Sequence, residues 1–166
     1  MAFQSTYTPL ATYTVPSAVS NVTFTSISQD YTDLEVVITG SFTTLDAINI
    51  RVGSTVLDTG SNYAAVYAYG TNTTFSAGNF QVNQTSGNAG VLGTNISTAR
   101  IYFGAYSNTN FYKTMINKCG DGATQVKMGS TLWRSNAAIN TIQFFSPSSY
   151  NFTTGTTFTI YGIASA

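Results

Sequence analysis

The chain has 166 residues with six basic and six acidic side chains, so only 7% of it is charged and its formal net charge is zero, where ordinary globular domains carry about 25% charged residues. Without a basic excess there is no electrostatic footprint for nucleic acid, and a single cysteine, Cys119, excludes an internal disulfide. Histidine is absent, which removes the commonest general base, the usual Ser and Cys triads and most zinc sites.

The length sets one domain, large enough to bury a core without staples. Aromatic residues make up 14% and apolar residues 43% of the chain, too much for a disordered segment. The solubility of a free monomer ordinarily leans on surface charge; here Ser, Thr and Asn must cover the surface. Either much of that surface is covered in an assembly, or the protein works where charge-driven stickiness would be harmful. Residues 1–18 have neither the cationic start nor the apolar centre of a secretory signal, and no run approaches the ~20 apolar residues of a membrane span. The Asn-x-Ser/Thr triplets at Asn21, Asn72, Asn83, Asn95 and Asn151 follow from Thr and Asn richness and are not read as glycan sites.

Residues 1–20 alternate Tyr, Thr and Ser around Pro9 and Pro16, which bar a helix and a central strand. They are expected to form an extended arm, whose apolar residues must land on its own domain or on a neighbouring subunit. Residues 21–166 are expected to form a single β domain. Strand-period alternation marks residues 22–27, residues 34–39 read as a stronger strand, apolar enough to be central, and the alternation is cleanest at 48–52, where Ile48, Ile50 and Val52 point one way and Asn49 and Arg51 the other. A one-residue slip there would bury Arg51, so the register is firmly set. Residues 63–69 allow a helical turn but read better as a strand. Residues 70–97 are rich in Gly, Asn, Ser and Thr, broken by Phe75, Phe80, Val82, Val91 and Leu92, and form either a surface loop or short edge strands.

Residues 100–106 are predicted to be a strand with Ile101, Phe103 and Ala105 inward and Arg100, Tyr102 and Tyr106 outward. A turn at 108–110 leads to a partner strand over 111–118, with Lys113 and Lys118 near solvent. Residues 125–133 follow, with Gly129 marking a bulge or a close approach, then strands at 139–145 and 156–163. In the last, Phe158, Ile160 and Gly162 share one face. Thr157, Thr159, Tyr161 and Ile163 share the other, which is only partly polar, as in a strand covered on both sides. Short strands bounded by turn residues, with no amphipathic helix between them, predict an all-β fold, an antiparallel β-sandwich of jelly-roll type. The enrichment in Thr, Tyr, Phe, Ile and Val agrees with it.

Chemistry is harder to find. Asp33 and Glu35 share a strand face at i, i+2, a geometry that does not forbid a paired-carboxylate glycosidase. Both stand where a strand leaves a turn, however, and a turn former beside a solvent-facing acid is the better account. The loop at 58–62 offers one acid, Asp58, too few for calcium. Cys119 has only Lys118 beside it, so it reads as a small buried or half-buried thiol and not as a nucleophile. No catalytic residue, cofactor or metal ligand is assigned. The remaining candidates are aromatic: eleven Tyr, eleven Phe and one Trp. Sugar stacking would use Trp133 or the Tyr63, Tyr67, Tyr69 series. Subunit contacts enrich Tyr and Phe and deplete Lys, Glu and Asp, and the scarcity of charge favours contact.

After the Tyr/Pro/Leu-rich start, residues 13–27 lead to the step Tyr31-Thr32-Asp33-Leu34. Later Trp133 opens a small-residue segment that runs to Ile142. The chain closes on Phe152-x-x-Gly155-x-x-Phe158-x-Ile160-Tyr161-Gly162-Ile163. In these motifs and their order it resembles a family of small bacteriophage virion proteins, common among phages of cyanobacteria and other aquatic hosts; residues 55–97 take no part in the resemblance. What the resemblance implies is a jelly-roll-like virion component, often trimeric, found as a capsid decoration (cement) protein or as a fibre or tail domain. It brings no catalytic residues with it. Because the chain starts shortly before its first strand and ends with its last, a decoration unit is expected, made in the host cytoplasm and placed on the capsid surface. The expected partners are the chain itself, as a homotrimer, and the major capsid protein, with neither nucleic acid nor membrane. The expected contacts are Phe3, Tyr7, Leu10, Tyr13, Tyr161 and Ile163. The alternative is a carbohydrate-binding tail fibre or receptor-binding head that holds a host-surface glycan on Trp133, Tyr67 and Tyr69.

Overall fold

A computed structural model describes residues 6–164. Their strands are β1 (Tyr7–Thr14), β2 (Asn21–Phe24), β3 (Asp33–Gly40), β4 (Asp46–Gly53), β5 (Tyr63–Gly70), β6 (Phe75–Gln84), β7 (Gly87–Leu92), β8 (Ser97–Phe103), β9 (Lys113–Gly120), β10 (Val126–Trp133), β11 (Thr141–Phe145) and β12 (Thr157–Ile163); no helix occurs among the described residues. The fold is all-β. Two antiparallel sheets, ordered β1-β12-β3-β8-β9-β10-β5-β6 and β2-β11-β4-β7, face each other in a sandwich-like arrangement.

The strand order is nested. First pairs with last, as β1 lies on β12, and second with second-to-last, as β2 lies on β11. Eight strands therefore form two facing groups of four, β1-β12-β3-β8 and β2-β11-β4-β7. The remaining four are two antiparallel hairpins, β5-β6 inserted after β4 and β9-β10 inserted after β8. Both join the first group, which they extend to eight strands.

The core lies between the groups because the strand period of two turns every second side chain inward. Leu34, Val36 and Ile38 of β3, Phe158 and Ile160 of β12, and Ile48, Ile50 and Val52 of β4 are all buried. Phe158 is the hub of an aromatic cluster. Its ring centroid lies 5.0 Å from that of Phe152, 5.7 Å from Phe144 and 6.3 Å from Phe24. Gly162, the third inward position of β12, has no side chain because the Tyr31 ring lies across it; a Cβ there would sit 2.5 Å from the ring.

Within the expected arm, residues 7–14 are extended and lie on their own domain. β1 pairs with β12 along its length, with one irregularity between Pro9 and Ala11, where an edge strand tolerates both a proline and a bulge. Val15 is buried and its N–H donates to the Thr156 carbonyl at 2.8 Å. Removing residues 2–16 would strip β12 of its edge partner and take Val15 from the core.

Several orientations differ from those expected. Tyr106 is fully buried, not outward: β8 ends at Phe103, and Ala105 takes a positive φ of 46° that swings the next residue into the core. There the Tyr106 hydroxyl donates to the Ser28 carbonyl. Lys113 is buried as well; its Nζ donates to the Phe111 carbonyl at 2.8 Å and the Asn136 carbonyl at 3.3 Å, and burial pushes its pKa down. Within residues 70–97, β6 and β7 are each the edge strand of their own sheet, the second of the two expected forms, but β7 is an edge buried over its whole length. Small residues allow this. Gly87 packs against Thr131, and Gly90 packs against Cys119, so that β7 lies flat under β9 and β10.

Candidate functional site

The outer face of the large sheet is the surface on which the chain's unusual composition concentrates. On β10 the buried Trp133 sets the phase. Its indole Nε1–H donates to Asp58 Oδ2 at 2.7 Å. Alternation then turns Thr131, Gly129 and Lys127 inward, and Leu132, Ser130, Met128 and Val126 outward. The pattern Val126-Lys127-Met128 alone would suggest the reverse, with two apolar residues in and a lysine out. Instead Lys127 is nine-tenths buried, with Nζ 3.9 Å from the Tyr67 ring centroid; burial pushes its pKa down. Cation–π contact of this kind compensates part of the desolvation.

A polar seam on the inner side locks this phase. Thr131 Oγ1 donates to the Asn88 carbonyl at 2.8 Å and accepts from the Asn88 N–H at 3.0 Å, and Asn117 Nδ2 donates to the same carbonyl at 3.0 Å. Gly129 has no room for a side chain, since a Cβ would stand 2.8 Å from the Val66 carbonyl and 2.9 Å from Tyr67 Cβ. A one-residue slip of β10 would break each of these contacts.

The consequence is an apolar outer face. β9 and β10 present Ile116, Val126 and Met128; their neighbours β5 and β6 present Val66, Phe75, Phe80 and Val82, with Tyr102 of β8 at the border. Phe75 is 76% exposed, Phe80 68%, Val126 67% and Met128 63%. Hollows of about 580, 330 and 320 Å³ lie on this face. The largest has Val66, Ala68, Ile116 and Met128 around a floor that includes Gly78 and Gly129. Isolated exposed apolar residues are ordinary, but a contiguous patch of this kind marks an interaction surface.

The other half of the same face is polar and its charges are matched. Arg100 Nε and Nη2 each donate to one Glu35 oxygen at 2.7 Å, a bidentate pair that holds the Arg100 pKa up. Glu35 is buried, not solvent-facing as expected. Asp33 accepts from the Tyr102 hydroxyl at 2.7 Å and from the Ala105 N–H at 2.6 Å, and its hydrogen bond is the main reason the Tyr102 pKa is pushed up to about 12. Both carboxylates are thus occupied by donors of the fold itself, an arrangement for holding strands and turns in place.

The expected contact residues fall into two groups. Tyr7, Tyr161 and Ile163 come together on the outer face of the polar half, with the Tyr7 and Tyr161 rings 6.2 Å apart and edge-to-face. Partial desolvation, followed by the Glu35 charge and hydrogen bond, pushes the Tyr7 phenol up. Leu10 packs against the core and Tyr13 is partly exposed, paired across from Phe158. Phe3 lies outside the described residues.

The expected sugar platform is not assembled. Trp133 is 3% exposed and spends its N–H on Asp58, so its face is closed to a ligand ring. Tyr63 is fully buried, and its hydroxyl donates to the Val52 carbonyl at 3.2 Å. Tyr67 is covered by Lys127, and Tyr69 stands on the same inward-turned side of β5, away from Val66 and Ala68. Asp58, the loop acid, accepts from Gly60 N, Asn62 Nδ2 and Trp133 Nε1. Among the described residues no three of His, Cys, Asp and Glu come together to hold a metal ion.

The apolar face is not evident in the sequence alone. Its signal was present in Phe75, Phe80 and Val82 standing in an otherwise polar stretch, and in a lysine between Val126 and Met128. Neither becomes legible until the inward direction is known. Compared with known proteins, the chain matches no family model and no curated protein sequence.

Proposed function

We propose that the chain is a non-enzymatic structural protein of a bacteriophage virion, a capsid decoration protein that stabilises the head shell through contacts with its own copies, as a homotrimer, and with the major capsid protein. The single observation that carries an assembly role is the apolar outer face of β5, β6, β9 and β10 on a chain with so few charges. Such a face is costly to leave in water and gains roughly 25 cal/mol for each Å² it buries. The nested order of β1-β12-β3-β8 against β2-β11-β4-β7 supports the jelly-roll form of the sandwich, in which two Greek keys fold over each other. The motif resemblance at both ends of the chain supports the virion setting.

The test is the number of copies of this chain in purified particles, measured by quantitative mass spectrometry. A decoration protein is present in hundreds of copies. A handful per particle, or none, overturns the decoration role. Reproducible binding on a glycan array, together with a low copy number, would transfer the chain to a receptor-binding tail part.

A further inference from the structure

We propose that the apolar outer face of β9, β10, β5 and β6 is the surface through which one copy of this chain binds a second copy. The proposal rests on the reading of the chain as an assembly component and names the face and the partner.

The strands that form this face turn several of their polar residues inward and several large apolar ones outward. Lys113, Asn117, Lys127 and Thr131 are buried against the second sheet and the loops around it, while Ile116, Met128, Val126 and Val66 stand in solvent. The inversion is held by named contacts, the Trp133–Asp58 hydrogen bond and the Asn88 seam, so the face cannot be relieved by slipping the register.

Its size fits a protein partner. At their observed exposures, the eight side chains Val66 to Met128 described above leave roughly 850 Å² open per copy, close to the ~800 Å² per partner of a standard stable interface.

Its chemistry and shape fit a second copy. Lys118 is the only charged side chain that these four strands turn to this side; Arg100 and Glu35, which also line the largest hollow, neutralise each other, and Arg134 at the smallest donates to Ser61 and Asn83, so little here selects a strongly charged partner. Projecting side chains and hollows lie next to each other. Phe80 borders a hollow of about 320 Å³ and faces Val66, which also lines the hollow of about 580 Å³; Phe75 borders the one of about 330 Å³. A surface that carries both the knobs and the holes can be completed by its own copy. Contact by the face is favoured over strand addition at the β6 edge. β6 departs from regular pairing with β5 at two places, between Tyr63 and Ala65 and between Tyr67 and Tyr69, and bulges of this kind blunt an edge.

The full-length chain is tested by sedimentation velocity at micromolar concentration, with near-ultraviolet circular dichroism as a check on the fold. The wild type is expected to sediment as a multiple of 17.7 kDa. Phe80→Lys and Met128→Lys, at exposed positions, are expected to weaken association about tenfold or more while keeping the native spectrum. Thr14→Lys and Thr39→Lys, on the polar half of the same face, leave the mass unchanged. If Met128→Lys loses the native spectrum, Phe75→Ser takes its place. A monomeric wild type overturns the proposal, and so does one that floats as a monomer with phosphatidylcholine vesicles. An oligomer indifferent to both substitutions on the apolar face overturns this face while leaving the assembly role standing, because copy number in particles tests that role separately.

Discussion

On β1, β12, β3 and β8 the outer face of the large sheet is lined by Thr12, Thr14, Thr39, Thr98, Thr157 and Thr159, with Arg100 locked to Glu35. Across β9, β10, β5 and β6 the same face carries Ile116, Val126, Met128, Val66, Phe75 and Phe80. The inner faces change in the opposite sense. Behind the threonines lie Val36, Ile38, Ile101 and Phe158, whereas behind the apolar face Asn117, Lys127 and Thr131 are buried among Tyr63, Met115 and Trp133. A strand in one sheet can therefore be stabilised in two ways. Where a full second sheet covers it, burial of apolar side chains decides which way it faces. Where only β7 lies behind it, small residues and hydrogen bonds decide, and the apolar side chains are left for another surface.

The contrast is most sharply broken or upheld by truncating one aromatic in each half. Phe158→Ala, which empties the centre of the Phe24, Phe144 and Phe152 cluster, is expected to cost about 4 kcal/mol in denaturant unfolding. Phe80→Ala is expected to change the stability of the monomer by less than about 0.5 kcal/mol; a comparable loss in both would mean that Phe80 belongs to the core of its own protomer.

Next in size is the seam behind the apolar face. Thr131→Val preserves shape but leaves the buried Asn88 N–H and carbonyl short of a partner, and is expected to cost about 2 kcal/mol. A neutral outcome would show that packing alone sets the phase of β10.

Trp133→Phe removes the indole donor to Asp58 and is expected to cost about 1 kcal/mol at neutral pH. It also alters the acid limb. Burial alone would raise the Asp58 pKa, but the hydrogen bonds from Trp133, Asn62 and Gly60 together hold it below the ordinary 3.8. Asp121 is likewise held low against burial by the N–H groups of Gln125, Ala123 and Thr124. A carboxyl whose folded pKa is depressed contributes stability that is complete above its ordinary value and is lost as pH falls through the folded one. The wild type should therefore lose stability below about pH 4, and Trp133→Phe should lose less over that same interval, as read from urea midpoints at a series of pH values.

A loss no larger than that of Trp133→Phe is expected from Glu35→Gln. It breaks the bidentate pair, but Arg100 is nearly half exposed, so the cost is about 1 kcal/mol, and it should shrink further in high salt.

The buried face of β4 was legible from its alternation, because it has apolar residues on one side only, and those of β3 and β12 from the more apolar of their two sides. Tyr106 and Lys113 were not. The first is turned inward by the positive φ at Ala105, and the second is accepted inside because the Phe111 and Asn136 carbonyls happen to point at its ammonium. Trp133 looked like a ligand platform because a lone tryptophan in a polar chain stands out; its burial depends on Asp58, 75 residues away.

By itself the sequence determined the all-β class, the position of most strands and the inward faces of the sandwich core, since these follow from a period of two and from local turn chemistry. It also determined that charge would play little part in whatever the surface meets. Only the tertiary structure decided which way β9 and β10 face, that β7 is buried, and that the two inserted hairpins together make an apolar surface. The physical reason is that alternation defines two faces but does not say which is inside. That choice belongs to contacts between strands far apart in the chain: Trp133 with Asp58, Thr131 with Asn88, and Gly90 with Cys119.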